Sequence, residues 1–373
     1  MEREEPLMDF DLPGDDDPRR EAIRTWLQEH PYPAARVLAE AGYVAPHWPK
    51  PWGIGADPVH QLIIDDEFRR AGVARPVNPI GIGWAGPTLI HAGTRAQQDR
   101  YLMPLLSSEE MWCQLFSEPE AGSDLASLRT RAVRDGDEWV VNGQKIWTSL
   151  GHVSKFGILI ARTDPEAPKH QGISYFICPM DAPGVEVRPI IEMTGMHTFN
   201  EVFLTDVRLP ADALVGEVNR GWGLAKVTLG NERVSLSGEG ALWGRGPTAA
   251  DVVALAKERG VADLALRQRL AQLHIESEIL RLIRLRTVSA VVAGKQPGAE
   301  ASVRKALADE HGQHIMGLAK DLAGAHGMLA QGDMWHHGFL FAPALTIGGG
   351  TSEVQRNIVA ERVLGLPHDP EKQ

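Results

Sequence analysis

The hydrophobic period of the chain changes twice, and few folds tolerate that. From Arg19 to about Leu106, apolar residues recur at three- and four-residue spacing in REAIRTWLQEH, PAARVLAEAGY and VHQLIIDDEFRRAG, with Pro or Gly between the runs. That spacing specifies amphipathic helices. The stretch RAVRDGDEWVVNGQKIWTS then alternates, and its Asp135-Gly136 and Asn142-Gly143 pairs are the strongest short hairpin signals. KFGILIART, GISYFICP, VEVRPI and NEVFLTDVRLP continue the alternation to about Pro210. From Gly221 the helical period returns in WGLAKVTLGNERVSL, LALRQRLAQLHIESEILRLIRLRTVSAVVAG, SVRKALADEHGQHIMGLAKDLAGAHG and SEVQRNIVAERVLG, with a Gly-rich break at GEGALWGRGPTAAD. The expected fold is therefore multidomain α and β. It comprises an all-helical domain over 1–110, an antiparallel β-barrel or sandwich over 111–215, and a four-helix bundle over 216–373.

At 373 residues the chain is long enough for two or three packed domains. A net charge of -11 argues against a nucleic-acid surface, which needs a basic face. Only Cys113 and Cys178 are present, too few for a disulfide framework and suited to a reducing compartment. The acidic start MEREEPLMDFDLPGDDDP lacks a basic segment followed by an apolar one, and no apolar run approaches the roughly 20 residues of a membrane span. A cytoplasmic protein without membrane insertion is expected.

Gly81, Gly83 and Gly86 satisfy GxGxxG, but no strand precedes them, so a turn between helices is the better reading. The run TIGGGTSEVQR, Thr346 to Arg356, has no Lys and is no P-loop. Its Thr351 can cap the following helix, and Glu353 suits the first turn. His311 and His314 with Glu310 lack a further ligand pattern, and the adjacent His336 and His337 would diverge on a helix. No metal site is expected.

The segments CQLFSEPEAGSDLASL (Cys113 to Leu128), NGQKIWTS (Asn142 to Ser149) and GGTSEVQRNIVAERVLGLP make the chain resemble the acyl-CoA dehydrogenase family, from about Arg19 to Pro367. The resemblance implies an FAD flavoprotein that removes the α-proton and β-hydride of an acyl-CoA thioester, passes electrons to an electron-transfer flavoprotein, and assembles as a homo- or hetero-oligomer, dimer or tetramer. The family's Thr-Glu-Pro segment falls on Ser117, Glu118 and Pro119, so the backbone of Leu115 and the amide and hydroxyl of Ser117 would meet the flavin. Its Trp-Ile-Thr segment falls on Trp147, Thr148 and Ser149. An aromatic wall and short donors are what a flavin ring needs, and Trp147, Ser117 and Ser149 can supply them. Thr351, Glu353 and Gly324 also match cofactor positions, and Gly122 and Ser123 would lie along the acyl-CoA path.

Many family members carry the catalytic base immediately before Gly-Thr-Ser, where this chain has Gly349. Isovaleryl and long-chain types place it on the first C-terminal helix at a Glu-Arg pair, matched here by Glu232-Arg233. Trp222, Ala225, Leu229, Glu232 and Leu236 follow helical spacing, so Glu232 interrupts an apolar stripe. Burial there would raise its pKa toward that of a general base. Glu239 is the reserve candidate, and the backbone N–H of Gly349 would remain a donor to the thioester oxygen. Two features depart from the family: GRGPTAADVVALAKERG replaces an Arg-x-x-Phe segment, and Asp321 stands where a Gln is usual. Both concern the phosphate half of FAD and resemble divergent actinobacterial subunits that act on steroid side chains as mixed tetramers. The acyl group is accordingly fatty, branched or steroid-linked. The alternatives are a non-catalytic or half-site subunit of a heteromeric dehydrogenase, or a flavin oxidase or monooxygenase on the same fold.

Overall fold

The structure is a computed structural model and describes residues 13–236, 240–243, 245–292, 298–329 and 332–368. Five helices come first: α1 (Pro18–Glu29), α2 (Ala35–Glu40), α3 (Pro58–Ala71), α4 (Gly86–Ala92) and α5 (Arg95–Leu106). Local chemistry sets their ends. Asp17 and Asp57 accept backbone N–H bonds ahead of Pro18 and Pro58, while Thr94 and Gln97 form a reciprocal capping box for α5. Arg20, 2% exposed, joins α1 to α3 through Asp66 at 2.7 Å and Glu67 at 2.6 Å. The GxGxxG segment makes a π-turn over Gly81–Ala85 and opens α4. A Cβ on Gly86 would lie 2.2 Å from the Trp48 ring, so this glycine serves packing.

The strands β1 (Trp112–Leu115), β2 (Arg131–Asp135), β3 (Glu138–Lys145), β4 (Phe156–Arg162), β5 (Ile173–Pro179), β6 (Val185–Pro189), β7 (Asn200–Pro210) and β8 (Leu214–Val215) form one sheet. Its order is β6-β7-β3-β2-β4-β5-β8, with β1 beside β4. The expected helix–strand–helix order holds, but the sheet is mixed: β4 pairs in parallel with β1 and β2. Parallel pairing needs a long connection, which residues 116–155 provide for β1 and β4. Asp135-Gly136 turns β2 into β3 as expected. Asn142-Gly143 does not turn the chain; it lies inside β3, where the ladder to β7 slips between Val141 and Gly143. The Asn142 amide instead donates to Asp206 Oδ1 at 3.0 Å and accepts the Asp206 N–H at 2.9 Å. A Cβ on Gly143 would meet Thr130 Oγ1 at 2.3 Å, so the pair marks a bulge at a close approach. Trp139, Val141, Leu159, Phe176, Val202 and Leu204 fill the core beside both cysteines. Burial pushes both thiols up, Cys178 to about 12, which leaves them unreactive.

The described residues divide into two compact units, and the boundary falls inside α6 (Gly221–Leu236), after Thr228. The first runs to Ile190 and resumes over His197–Thr228; the second includes Ile191–Met196 and the helices from Leu229. Those are α7 (Ala249–Glu258), α8 (Leu264–Val292), α9 (Glu300–Ala323), α10 (Met334–Phe341) and α11 (Ser352–Ile358). With α6, helices α8, α9 and α11 occupy the four expected segments. Two more were hidden: α7 starts from a Thr248–Asp251 capping box behind Pro247, and α10 contains His336 and His337. The second core is built on Val252, Ile315, Met316, Leu318 and Leu345. His311 and His314 both face Glu276 through Nδ1, at 2.8 and 3.2 Å, whereas Glu310 pairs with Arg356. No described helix is long and apolar enough to cross a membrane.

Candidate active site

In the first unit, β1 ends at buried Leu115 and the chain continues through Phe116, Ser117 and Glu118 beside the end of β3. Fully buried Lys145 donates to Phe116 O at 3.0 Å and to Glu118 Oε1 at 2.8 Å. Glu118 also accepts the N–H groups of Arg129 and Thr130, at 2.6 and 2.9 Å. Burial pulls the Lys145 ammonium down to about 8. It pushes the Glu118 carboxyl up, yet Lys145 and the two amides outweigh it and hold that group below its ordinary range. The pair is thus ionised at neutral pH. Ile146 N–H donates to Ser117 O at 2.9 Å, tying these residues to the turn that follows β3.

That turn presents Trp147, which is 58% exposed with φ +60°. A bulky residue in the left-handed region costs about 1–3 kcal/mol, and such strain concentrates at functional sites. Its neighbour is what holds it. Buried Thr148 exchanges two 3.0 Å backbone hydrogen bonds with Asn200, whose side chain adds a third to Thr148 O at 3.0 Å. Ser117 and Ser149 are half-buried, and among the described residues no hydrogen bond uses their hydroxyls or N–H groups. An exposed aromatic face and uncommitted short donors fit a flavin ring.

Gly122 and Ser123 are exposed. Close to them in sequence, a groove of about 460 Å³ is lined by Ser127, Arg129, Arg131, Arg162 and Lys169, among others. Its cations are scattered over four decades of sequence, so no local motif announced them.

In the second unit, Glu232 is 7% exposed on α6. Leu224, Ala225 and Thr228 are buried on the same helix face. Glu239 and the side chain of Arg233 lie outside the described residues. Gly349 and Gly350 have φ of +67° and +88°, a region that favours glycine. Fully buried Gln355 donates to the carbonyls of both, at 3.1 and 3.2 Å. Thr351 accepts Val354 N–H and caps α11, while exposed Glu353 in its first turn is held below the carboxylate range by hydrogen bonds from its own amide and Thr351. Gly324 ends α9 with φ +56°. Asp321 pairs with Arg269 at 2.5 Å, which offsets its charge. Sequence patterns missed Gln355, whose partners lie in the loop before its helix. Gln355→Ala should lower stability by about 1–3 kcal/mol, because it strands two acceptors. Urea denaturation checks this, and an unchanged midpoint would show that the loop does not depend on Gln355.

In chain order the described residues thus give a helical stretch, a sheet presenting a strained aromatic turn, and a second helical stretch with a buried carboxylate and a glycine loop. Residues 17–109, 113–207 and 219–364 match the family models of the acyl-CoA dehydrogenase N-terminal, middle and C-terminal domains. Acyl-CoA dehydrogenase FadE34 of Mycobacterium tuberculosis is 43% identical over 331 residues, which are 89% of this chain and 46% of that protein. The chain thus spans about half of that relative's length. Acyl-CoA dehydrogenase IpdE1 of the same organism is 41% identical, covering 96% of this chain and 91% of that one. A solved structure of the Tcur3481-Tcur3483 steroid ACAD superposes with a TM-score of 0.80 at 33% identity, covering 97% of this chain and 100% of that one. The chain belongs to the acyl-CoA dehydrogenase family and is an oxidoreductase of that kind.

Proposed function

We propose that the chain catalyses FAD-dependent α,β-dehydrogenation of an acyl-CoA thioester carrying a steroid side chain, with Glu232 as the base. The observation that carries this reading is a carboxylate only 7% exposed on α6, in a chain whose Gly349 leaves the usual position without a side chain. Gly349 has φ +67°, a conformation in which a Glu would be strained, so the loop is suited to backbone chemistry.

When bound, FAD supplies the acceptor for the β-hydride. In the first unit, Trp147 would wall the flavin ring, and Leu115, Ser117 and Ser149 would offer it hydrogen-bonding groups. In the second, Gly324, Thr351 and Glu353 are the cofactor-facing candidates. Glu232 takes the α-proton as the general base. The Gly349 N–H stabilises negative charge on the thioester oxygen. Gly122 and Ser123 border the acyl-CoA path, and the groove offers Arg131 to the phosphates of CoA, while Arg129 and Lys169 are paired with Glu120 and Asp124. The steroid class is supported by the similarity to a steroid ACAD whose name joins two components, which also favours a mixed dimer or tetramer. An electron-transfer flavoprotein is the proposed acceptor.

The test is the visible spectrum of the purified chain before and after anaerobic addition of fatty, branched and steroid side-chain CoA thioesters. A flavin band bleached best by the steroid thioesters is expected. A flavin band that no thioester bleaches would overturn the reading. A colourless folded chain that turns yellow only with a partner chain would assign it the half-site role. Rapid oxygen consumption would assign an oxidase or monooxygenase.

A further inference from the structure

We infer that the buried Lys145–Glu118 pair is a positioning device that aims and polarises the Ser117 amide, and through it sets the affinity and potential of the flavin. The inference rests on the flavin reading above. Its geometry lies wholly within the first unit. Lys145 Nζ straddles Ser117, bonding Phe116 O at 3.0 Å on one side and Glu118 Oε1 at 2.8 Å on the other. In a trans peptide the C=O and N–H point in opposite directions, so turning Phe116 O toward Lys145 turns the Ser117 N–H away from it. The neighbouring backbone groups are already committed: Ser117 O accepts Ile146 N–H at 2.9 Å, and Glu118 N–H donates to Ala121 O at 3.1 Å. Among the described residues the Ser117 N–H and hydroxyl make no hydrogen bond, which leaves them for a ligand.

The charge has a second effect. An ammonium bonded to a carbonyl polarises the whole peptide, and hydrogen bonds in such a chain strengthen one another, so the Ser117 N–H becomes a better donor. A stronger donor to the flavin favours its electron-rich, reduced form. Glu118 keeps the ammonium in place, because its own oxygens are pinned by Arg129 N–H at 2.6 Å and Thr130 N–H at 2.9 Å. A buried ion pair adds little stability over apolar residues of equal volume, but apolar residues cannot aim a peptide. Both members are therefore positioning residues.

The test uses the full chain, purified with any partner it needs, stripped of FAD and titrated with FAD. The double variant Lys145→Met/Glu118→Gln removes both charges together and avoids a lone buried carboxylate. It should melt near the parent apoprotein, bind FAD about tenfold more weakly, as expected for losing one charge-assisted hydrogen bond, and show an altered flavin spectrum and a more negative midpoint potential. A folded double variant with parental Kd, spectrum and potential would overturn the inference. Should it not fold, isosteric Glu118→Gln decides: a weaker Kd and a lowered potential support the role, and parental values for both refute it. A parent chain that takes up no FAD refutes the flavin reading itself, and the inference falls with it.

Discussion

Glu232→Gln should leave a folded protein that still binds flavin and whose turnover is lower by about 10²–10⁴-fold, the usual contribution of a positioned general base. The amide keeps the shape of the side chain on α6 and cannot accept the α-proton. With glycine at 349, no side chain stands at the family's other base position. The defect should appear in kcat and in the rate of flavin bleaching on rapid mixing with thioester, while circular dichroism and the resting flavin spectrum stay as in the parent. Near-normal bleaching would move the base to Glu239 or discard dehydrogenation altogether.

Arg20→Met or Glu67→Gln should each lower stability by about 1–3 kcal/mol, because each removes charge-assisted hydrogen bonds from a buried cluster in which Arg24 still holds Glu67 and Asp66 still holds Arg20. Arg20 and Glu67 side chains are 3% and 4% exposed and lie 2.6 Å apart, joining α1 to α3. Glu67 also receives Arg24 Nε at 2.8 Å, and Arg20 Nε donates to Pro13 O at 3.0 Å. Replacing both by apolar residues of similar volume, Arg20→Met/Glu67→Leu, should recover part of the loss, since the pair itself is worth less than its disruption costs. Chemical denaturation of the four forms tests this, and single variants as stable as the parent would refute it.

The same pair predicts an acid limit. Hydrogen bonding from Arg24, then from Arg20, holds the Glu67 carboxyl below its ordinary value of 4.5 despite burial. A lowered folded pKa means that its contribution is fully present above the unfolded value and is lost as pH falls below it toward the folded one. The melting temperature should therefore drop below about pH 4.5, and drop less steeply in Glu67→Gln.

Much of the fold was legible because hydrophobic period is a local property. The runs around REAIRTWLQEH and SVRKALADEH read as helices, and FGILIAR as a strand, without knowledge of their partners. Helices α7 and α10 were not legible in the same way, since Gly and Pro crowd the start of one and the other is only 8 residues long, with adjacent His336 and His337 breaking its apolar run. The Asn142-Gly143 pair shows the limit most plainly. It has the residue types of a turn, yet the pairing of Asn142 with Asp206, 64 positions away, and the nearness of Thr130 make it a bulge.

The candidate site divides along the same line. Resemblance to the family marked Trp147 and Glu232, while residue types and spacing added that Glu232 is a charge in an apolar stripe and that three glycines precede a helix cap at Thr351. Only the tertiary structure joined Lys145 to Glu118 across 27 positions and Arg20 to Glu67 across 47, and it alone set Gln355 against the loop carbonyls. Those contacts depend on which distant backbone groups arrive with unmet hydrogen bonds, and hydrophobic period does not encode that.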